Sequence, residues 1–183
     1  KYGSPEDALR QIANEIVGFK HDLDEIVQGH VEAALLKHVV LLPLALYDHS
    51  GITMWVGSGP SPFDPGGWDS GQVGFIYCTL EKAIENWMLP KDSTWKTLLK
   101  DWKENDGKMI SLREATERNL RGEVETFDHY ITGEAYGVCY ATYKSEDDEW
   151  VMDDDTDECW GYLGHKWAKA ELESGIKHYI DNL

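Results

Sequence analysis

Three groups of residues in this sequence have types and spacings that chemistry uses. The first is Asp48-His49-Ser50-Gly51, followed by Trp68-Asp69-Ser70-Gly71. Serine, histidine and aspartate together are the parts of a hydrolase, but a catalytic serine normally takes its base from elsewhere in the fold. There is also no G-x-S-x-G elbow to expose a nucleophile. Asp, Ser and Gly are what tight turns demand, and the turn is the better reading of both stretches. The second group is Glu123, Glu125, Asp128 and His129. On a helix, Glu125 shares a face with Asp128 and His129 at i+3 and i+4, a spacing that metal sites on helices use. Arg118 and Arg121 lie one turn earlier, and Arg121 to Glu125 has the spacing of an ordinary ion pair, so structural pairing is the plainer account.

The third group is a run of acids: Glu146, Asp147, Asp148, Glu149, Asp153, Asp154, Asp155, Asp157 and Glu158 make nine with no basic residue among them. Asp153, Asp155 and Asp157 alternate as in a calcium loop. The pattern then fails, because the loop's sixth position holds Glu158 instead of Gly and its twelfth holds Gly164 instead of Glu. Two readings stand: a phosphate-like surface that docks on a basic partner, or an acidic loop that is merely solvated. Gly57-Ser58-Gly59 and Gly66-Gly67 lack both the Lys-Ser/Thr of a P-loop and the G-x-G-x-x-G of a dinucleotide fold. No cofactor is implied.

The elements that must position these groups follow from periodicity. Ser4-Pro5-Glu6-Asp7 is a helix start with an N-cap serine and proline at the first position. Leu9, Ile12, Ile16, Phe19, Leu23 and Ile26 extend one apolar stripe towards Gly29. A second short helix is expected over 31–38. The pattern then changes to strands over 39–48 and 52–56, joined by a tight turn at His49-Ser50-Gly51. Residues 57–71 read as a long loop, and such loops tend to be functional or mobile. A third strand is expected over 73–78, and a helix capped by Thr79 runs to about Met88. Another helix starts at Ser93 or Thr94, with Trp95, Leu98, Leu99 and Trp102 on one face and Asp106-Gly107 at its end. Ser111 to Glu114 is a capping box opening a helix to Tyr130 and Gly133. Residues 134–144 read as a strand and 146–158 as an acidic loop. A last helix over 165–180 carries Trp167, Leu172, Ile176 and Tyr179 inward. The fold class is α+β, a small and mainly antiparallel sheet of about four strands packed with several helices.

The 183 residues fit one domain, with a helical segment over 4–38 and an α+β core over 39–183. Seventeen basic residues face 34 acidic ones, a formal net charge of -17. That field repels phosphates and anionic lipid, which excludes direct nucleic-acid binding and favours basic protein surfaces as partners. No run approaches the roughly 18 apolar residues that span a bilayer, and Lys1-Tyr2-Gly3-Ser4-Pro5 does not read as a signal peptide. Cys78, Cys139 and Cys159 form a sparse set without CxxC, as expected of a reducing cytoplasm.

Tyr47-Asp48-His49-Ser50-Gly51 and Trp68-Asp69-Ser70-Gly71-Gln72-Val73-Gly74-Phe75-Ile76-Tyr77 resemble a family of hypothetical proteins of bacteriophages and other bacterial mobile elements. The likeness continues through Glu123-Val124-Glu125, Asp128, Tyr130, Thr132-Gly133 and Tyr136-Gly137 to Cys159-Trp160-Gly161 and Gly164. It spans about residues 47–164, and the segment 58–67 looks longer here than the family's usual form. What the resemblance implies is context: small acidic proteins of this origin include anti-restriction and anti-CRISPR inhibitors, several of which bind the basic nucleic-acid channel of a nuclease.

Charge and resemblance converge on a cytoplasmic interaction protein whose acids at 146–149, 153–155 and 157–158 occupy the basic groove of a host defence nuclease. The alternative is a hydrolase or metal-assisted enzyme. His49 would be its general base, and Asp48, Asp69, Glu125 and Asp128 its ligands or orienters.

Overall fold

The computed structural model describes residues 4–18, 28–101 and 108–181; the side chains of residues 28–30 and 153–156 are outside that description. The chain divides into two compact units, Lys1–Glu125 and Thr126–Leu183.

In the first unit, α1 (Pro5–Val17) begins as its sequence dictates. The Asp7 N–H donates to the Ser4 hydroxyl at 3.2 Å and the Ser4 N–H donates to the Asp7 carboxylate at 2.9 Å, a reciprocal capping box. The Ser4 backbone donor and hydroxyl together hold the Asp7 carboxyl below its usual range. The helix stops earlier than its apolar stripe suggests. Gly18 takes the left-handed conformation, with φ 64°, and donates to the Asn14 carbonyl. A residue without Cβ ends a helix there at no steric cost. Phe19, Leu23 and Ile26 lie outside the described residues, and Gly29 falls inside α2 (Gln28–Leu35) instead of ending α1.

Strands β1 (Val39–Asp48), β2 (Ile52–Val56) and β3 (Ser70–Thr79) form an antiparallel sheet in the order β2-β1-β3. Alternation along β1 sends its residues to two apolar clusters. Val39 and Leu41 join Phe75 and the helical residues Leu9, Ile12, Ala13, Val31 and Leu35; Val40 and Leu42 join Val56, Ile76, Trp95 and Leu120. Pro43 sits in this central strand just before a register shift between Leu44 and Ala45, where an absent N–H is tolerated.

Beyond α3 (Leu80–Asn86), the expected helix near Trp95 is not formed. Thr94 and Thr97 turn the chain through hydrogen bonds to backbone N–H groups, and Leu98–Lys100 is instead strand β4, paired with β5 (Met109–Ser111). Trp102, Asp106 and Gly107 lie outside the described residues. Trp95 donates its indole N–H to the Lys37 carbonyl, and the Arg113 guanidinium lies 4.8 Å over its ring while donating to the carbonyls of Leu36 and Val39. Helix α4 (Leu112–Ile131) starts where the capping serine predicts, with the Glu114 N–H donating to the Ser111 hydroxyl at 3.2 Å. From its second turn Arg118 reaches the Asp101 carboxylate at 2.7 Å and Glu114 at 2.9 Å. The Asp101 side chain is only 1% exposed, so this pair holds a buried charge.

The second unit contains the end of α4, the strands β6 (Ala135–Glu146) and β7 (Glu149–Leu163), and α5 (His165–Asp181). β6 and β7 pair antiparallel from Ala135↔Leu163 to Glu146↔Glu149. The residues expected to be an acidic loop are therefore the far end of a two-stranded ribbon. Only Asp147 and Asp148 turn the chain. Both have positive φ, 50° and 64°, as a type I′ hairpin turn requires and as aspartate tolerates. The α+β class and its antiparallel pairing hold, with the strands divided over three sheets.

Helix α5 departs from expectation in its burial: Trp167, Leu172, Ile176 and Tyr179 are all exposed, and the buried apolar side chains described in this unit are Val138 and Ala168. Among the described residues no helix is long and apolar enough to cross a membrane.

Candidate functional site

The residues singled out at the β1–β2 turn do come together in part. His49 Nδ1 lies 3.0 Å from the Asp69 carboxylate, and the Asp48 N–H donates to the Asp69 carbonyl at 2.9 Å. Both partners of the His49–Asp69 pair are well exposed. Ser70 is not their nucleophile, because its hydroxyl donates to the Asp64 carboxylate at 2.8 Å. Asp64 organises the long loop, also accepting the Asp69 N–H at 2.8 Å, while the Ser61 N–H donates to the Ser70 hydroxyl. Partial desolvation acts to raise the Asp64 pKa; the hydrogen bonds from Asp69, Ser70 and Trp68 outweigh it and hold the carboxyl below its usual range. Sequence reasoning missed this residue. Its signal was the run of turn formers Ser61-Pro62-Phe63-Asp64-Pro65-Gly66. The same loop leaves Phe63 and Trp68 at 84% and 89% exposure.

Glu125 sits exposed on α4, with Glu123 exposed beside it. Arg121 pairs with Glu117 at 2.8 Å. In the second unit, His129 Nδ1 lies 3.0 Å from Glu134, and its ring packs on Gly164, where a Cβ would stand 2.7 Å from it. Among the described residues, no three His, Cys, Asp or Glu side chains converge into a group that would hold a metal ion.

The acidic ribbon is the larger feature. Glu146, Asp147, Asp148, Glu149, Asp157 and Glu158 are exposed; Asp153, Asp154 and Asp155 have their backbone in β7. Between the acids stand exposed apolar side chains placed by the register. Tyr143 pairs with Met152, and Ser145 with Trp150, which is 76% exposed. Nearer the base, Trp160 faces Gly137 across the ribbon, and its ring lies where a Cβ on Gly137 would go. The Trp160 indole N–H donates to Glu158 at 3.3 Å. Among the tryptophans, Trp55 is half-buried and Trp68, Trp150 and Trp160 are exposed.

On the other side of the ribbon Tyr140 donates its hydroxyl to the Glu171 carbonyl of α5 at 2.8 Å. A Tyr162 hydroxyl bonded to Cys159 and partly desolvated is pushed up to about 12. Cys78, Cys139 and Cys159 are free thiols. Burial first, and then the charge of Glu123, raises the Cys78 thiol, so it is a poor nucleophile.

The chain matches no family model, no curated protein and no solved structure.

Proposed function

We propose that this chain is a cytoplasmic interaction protein that acts without catalysis, presenting the β6–β7 ribbon to the basic nucleic-acid groove of a bacterial defence nuclease, in the manner of an anti-restriction or anti-CRISPR inhibitor. The observation that carries the proposal is the run of nine acids with no base between Glu146 and Glu158, of which Glu146, Asp147, Asp148, Glu149, Asp157 and Glu158 are exposed on the ribbon. Extended backbone advances about 3.3 Å per residue. That is close to the roughly 3.4 Å between charges along one strand of B-DNA. Successive side chains point to opposite faces of a strand, however, so acids two residues apart stand about 6.6 Å apart on one face, about twice the phosphate spacing along one DNA strand. Exposed Tyr143, Trp150 and Met152 add apolar area of the kind that anchors interfaces. The net charge of -17 steers such an encounter and makes it sensitive to salt. The choice of a nuclease as partner rests on this charge pattern together with the resemblance to mobile-element proteins.

The test is competition. Nuclease held on immobilised DNA should be released by the parent chain at physiological salt, and not by a variant with Asp153, Asp154, Asp155 and Asp157 changed to Asn. Equal release by both would exclude this segment as the contact.

One observation favours a second reading. The His49–Asp69 pair at 3.0 Å commits Nδ1 and leaves Nε2 to meet a substrate, which is how a general base is oriented. Hydrolysis of simple esters or phosphodiesters, lost in His49→Ala and weakened in Asp69→Asn, would support it. Indistinguishable turnover in parent and variant would remove it.

A further inference from the structure

Between the ribbon and α5 lies a cavity of about 540 Å³ whose lining includes Tyr140, Asp157, Glu171, Gly175, His178 and Tyr179. Its walls are aromatic on two sides. The Tyr140 and Tyr179 rings are 5.6 Å apart at 43°, and the His178 ring stands 6.4 Å from Tyr179 at 73°. Gly175 lets the Tyr140 ring close on α5, because a Cβ there would collide with its hydroxyl. Two carboxylates, Asp157 from β7 and Glu171 from α5, complete the lining. We infer that this cavity binds a guanidinium group, held over the tyrosine faces and hydrogen-bonded by Asp157 and Glu171.

The chemistry follows from the parts. A planar, weakly hydrated guanidinium stacks on aromatic faces and donates in a fork that carboxylates match, whereas an anion would meet two like charges. The local field has the right sign. Desolvation first, and then the charges of Glu171 and Asp157, raise the Tyr140 hydroxyl, so a negative potential already acts at the floor of the cavity. Tyr140 is held there by the Glu171 backbone carbonyl, not by its carboxylate, so the carboxylate can be neutralised without removing the support of the ring. The inference deepens the docking proposal and rests on it for its natural ligand. An arginine of the basic partner would seat in this cavity while the ribbon end engages the groove. The same chemistry is offered by a free small guanidinium compound.

The experiment is a titration of the full chain, followed by backbone amide resonances, with ethylguanidinium and with a short blocked peptide containing one arginine between glycines. Sodium chloride at matched ionic strength is the control. Saturable shifts of the Gly175, His178 and Tyr179 amides are expected with both probes, and about tenfold weaker binding in Asp157→Asn/Glu171→Gln, as the loss of a charge-assisted hydrogen bond implies. Tighter binding of the peptide assigns the site to a partner's arginine; equal binding assigns it to a free guanidinium compound. Shifts spread along the ribbon and matched by sodium chloride, or binding unchanged in the double variant, would overturn the inference. Changing Glu146, Asp147, Asp148 and Glu149 to Gln or Asn leaves the cavity intact. Failure of nuclease docking in that variant, with guanidinium binding retained, therefore separates the fate of the two proposals.

Discussion

Tyr140 on β6 meets α5 at the one position, Gly175, where the helix has no side chain, and its hydroxyl ends on the Glu171 carbonyl at 2.8 Å. A two-stranded ribbon is marginal in water unless something packs on it. This unit, with Val138 and Ala168 as its described buried apolar side chains, depends on that contact to an unusual degree. Gly175→Ala should displace the tyrosine and lower stability by about 1–3 kcal/mol, the ordinary cost of overpacking. Adding Tyr140→Ala should recover part of the loss, so that the two changes are not additive in chemical denaturation. Additive losses would show that the contact carries no such weight.

In the first unit, the buried charge of Asp101 makes a different prediction. Removing Arg118 takes one cation from a buried carboxylate, while removing Asp101 leaves an arginine that is 31% exposed and able to rehydrate. Arg118→Ala should therefore lower the thermal midpoint by several degrees more than Asp101→Ala does. The reverse order would contradict the pairing.

The apolar cluster on the α1–α2 side of β1 is an ordinary core. Leu35 is fully buried among Leu9, Val31 and Val39. Leu35→Ala should cost about 2–5 kcal/mol in chemical denaturation. A cost under about 1 kcal/mol would mean that this side chain is not packed as described.

The long loop should respond to acid through Asp64. Its folded pKa lies below the ordinary 3.8, so its contribution is complete above pH 3.8 and is lost as pH falls through the lower folded value. The Asp69 amide resonance should be flat down to about that pH and then move. In Asp64→Ala it should already sit at its shifted position at neutral pH. An Asp69 amide that ignores both changes would refute the hydrogen bond.

How much of this could be read from the sequence depended on what each residue had to satisfy locally. β1 and β2 were legible because the short apolar run over 39–46 and the Asp48-His49-Ser50-Gly51 turn point the same way, and α4 because Ser111 caps it. The segment near Trp95 was misread because eight residues of spacing fit a helix or a strand equally. What decided it was Thr94 and Thr97 bonding to backbone N–H groups. The ribbon end was missed because acids are poor strand formers on their own, and the Tyr- and Val-bearing partner strand across the sheet overrides that preference. In α5 the period was right but the burial was not: a helical stripe of Trp167, Leu172, Ile176 and Tyr179 says which face is apolar, not what covers it. Of the candidate site, the Asp–His pairing was implicit in the residue types and Asp64, bonded only five and six residues away, was hidden among turn formers, whereas the cavity beside Tyr140 depends on contacts distant in sequence.

The most direct test of the central claim is the affinity of the purified chain for nucleases of bacterial defence systems at low and at physiological salt, each with the parent and with a variant neutralised at Glu146, Asp147, Asp148, Glu149, Asp157 and Glu158. The account predicts that a nuclease is captured and displaced from its nucleic acid, that binding weakens steeply as salt rises, and that the neutralised ribbon loses most of the affinity and most of the salt dependence. Capture that survives neutralisation unchanged, or no capture of any such nuclease at either salt, would contradict it.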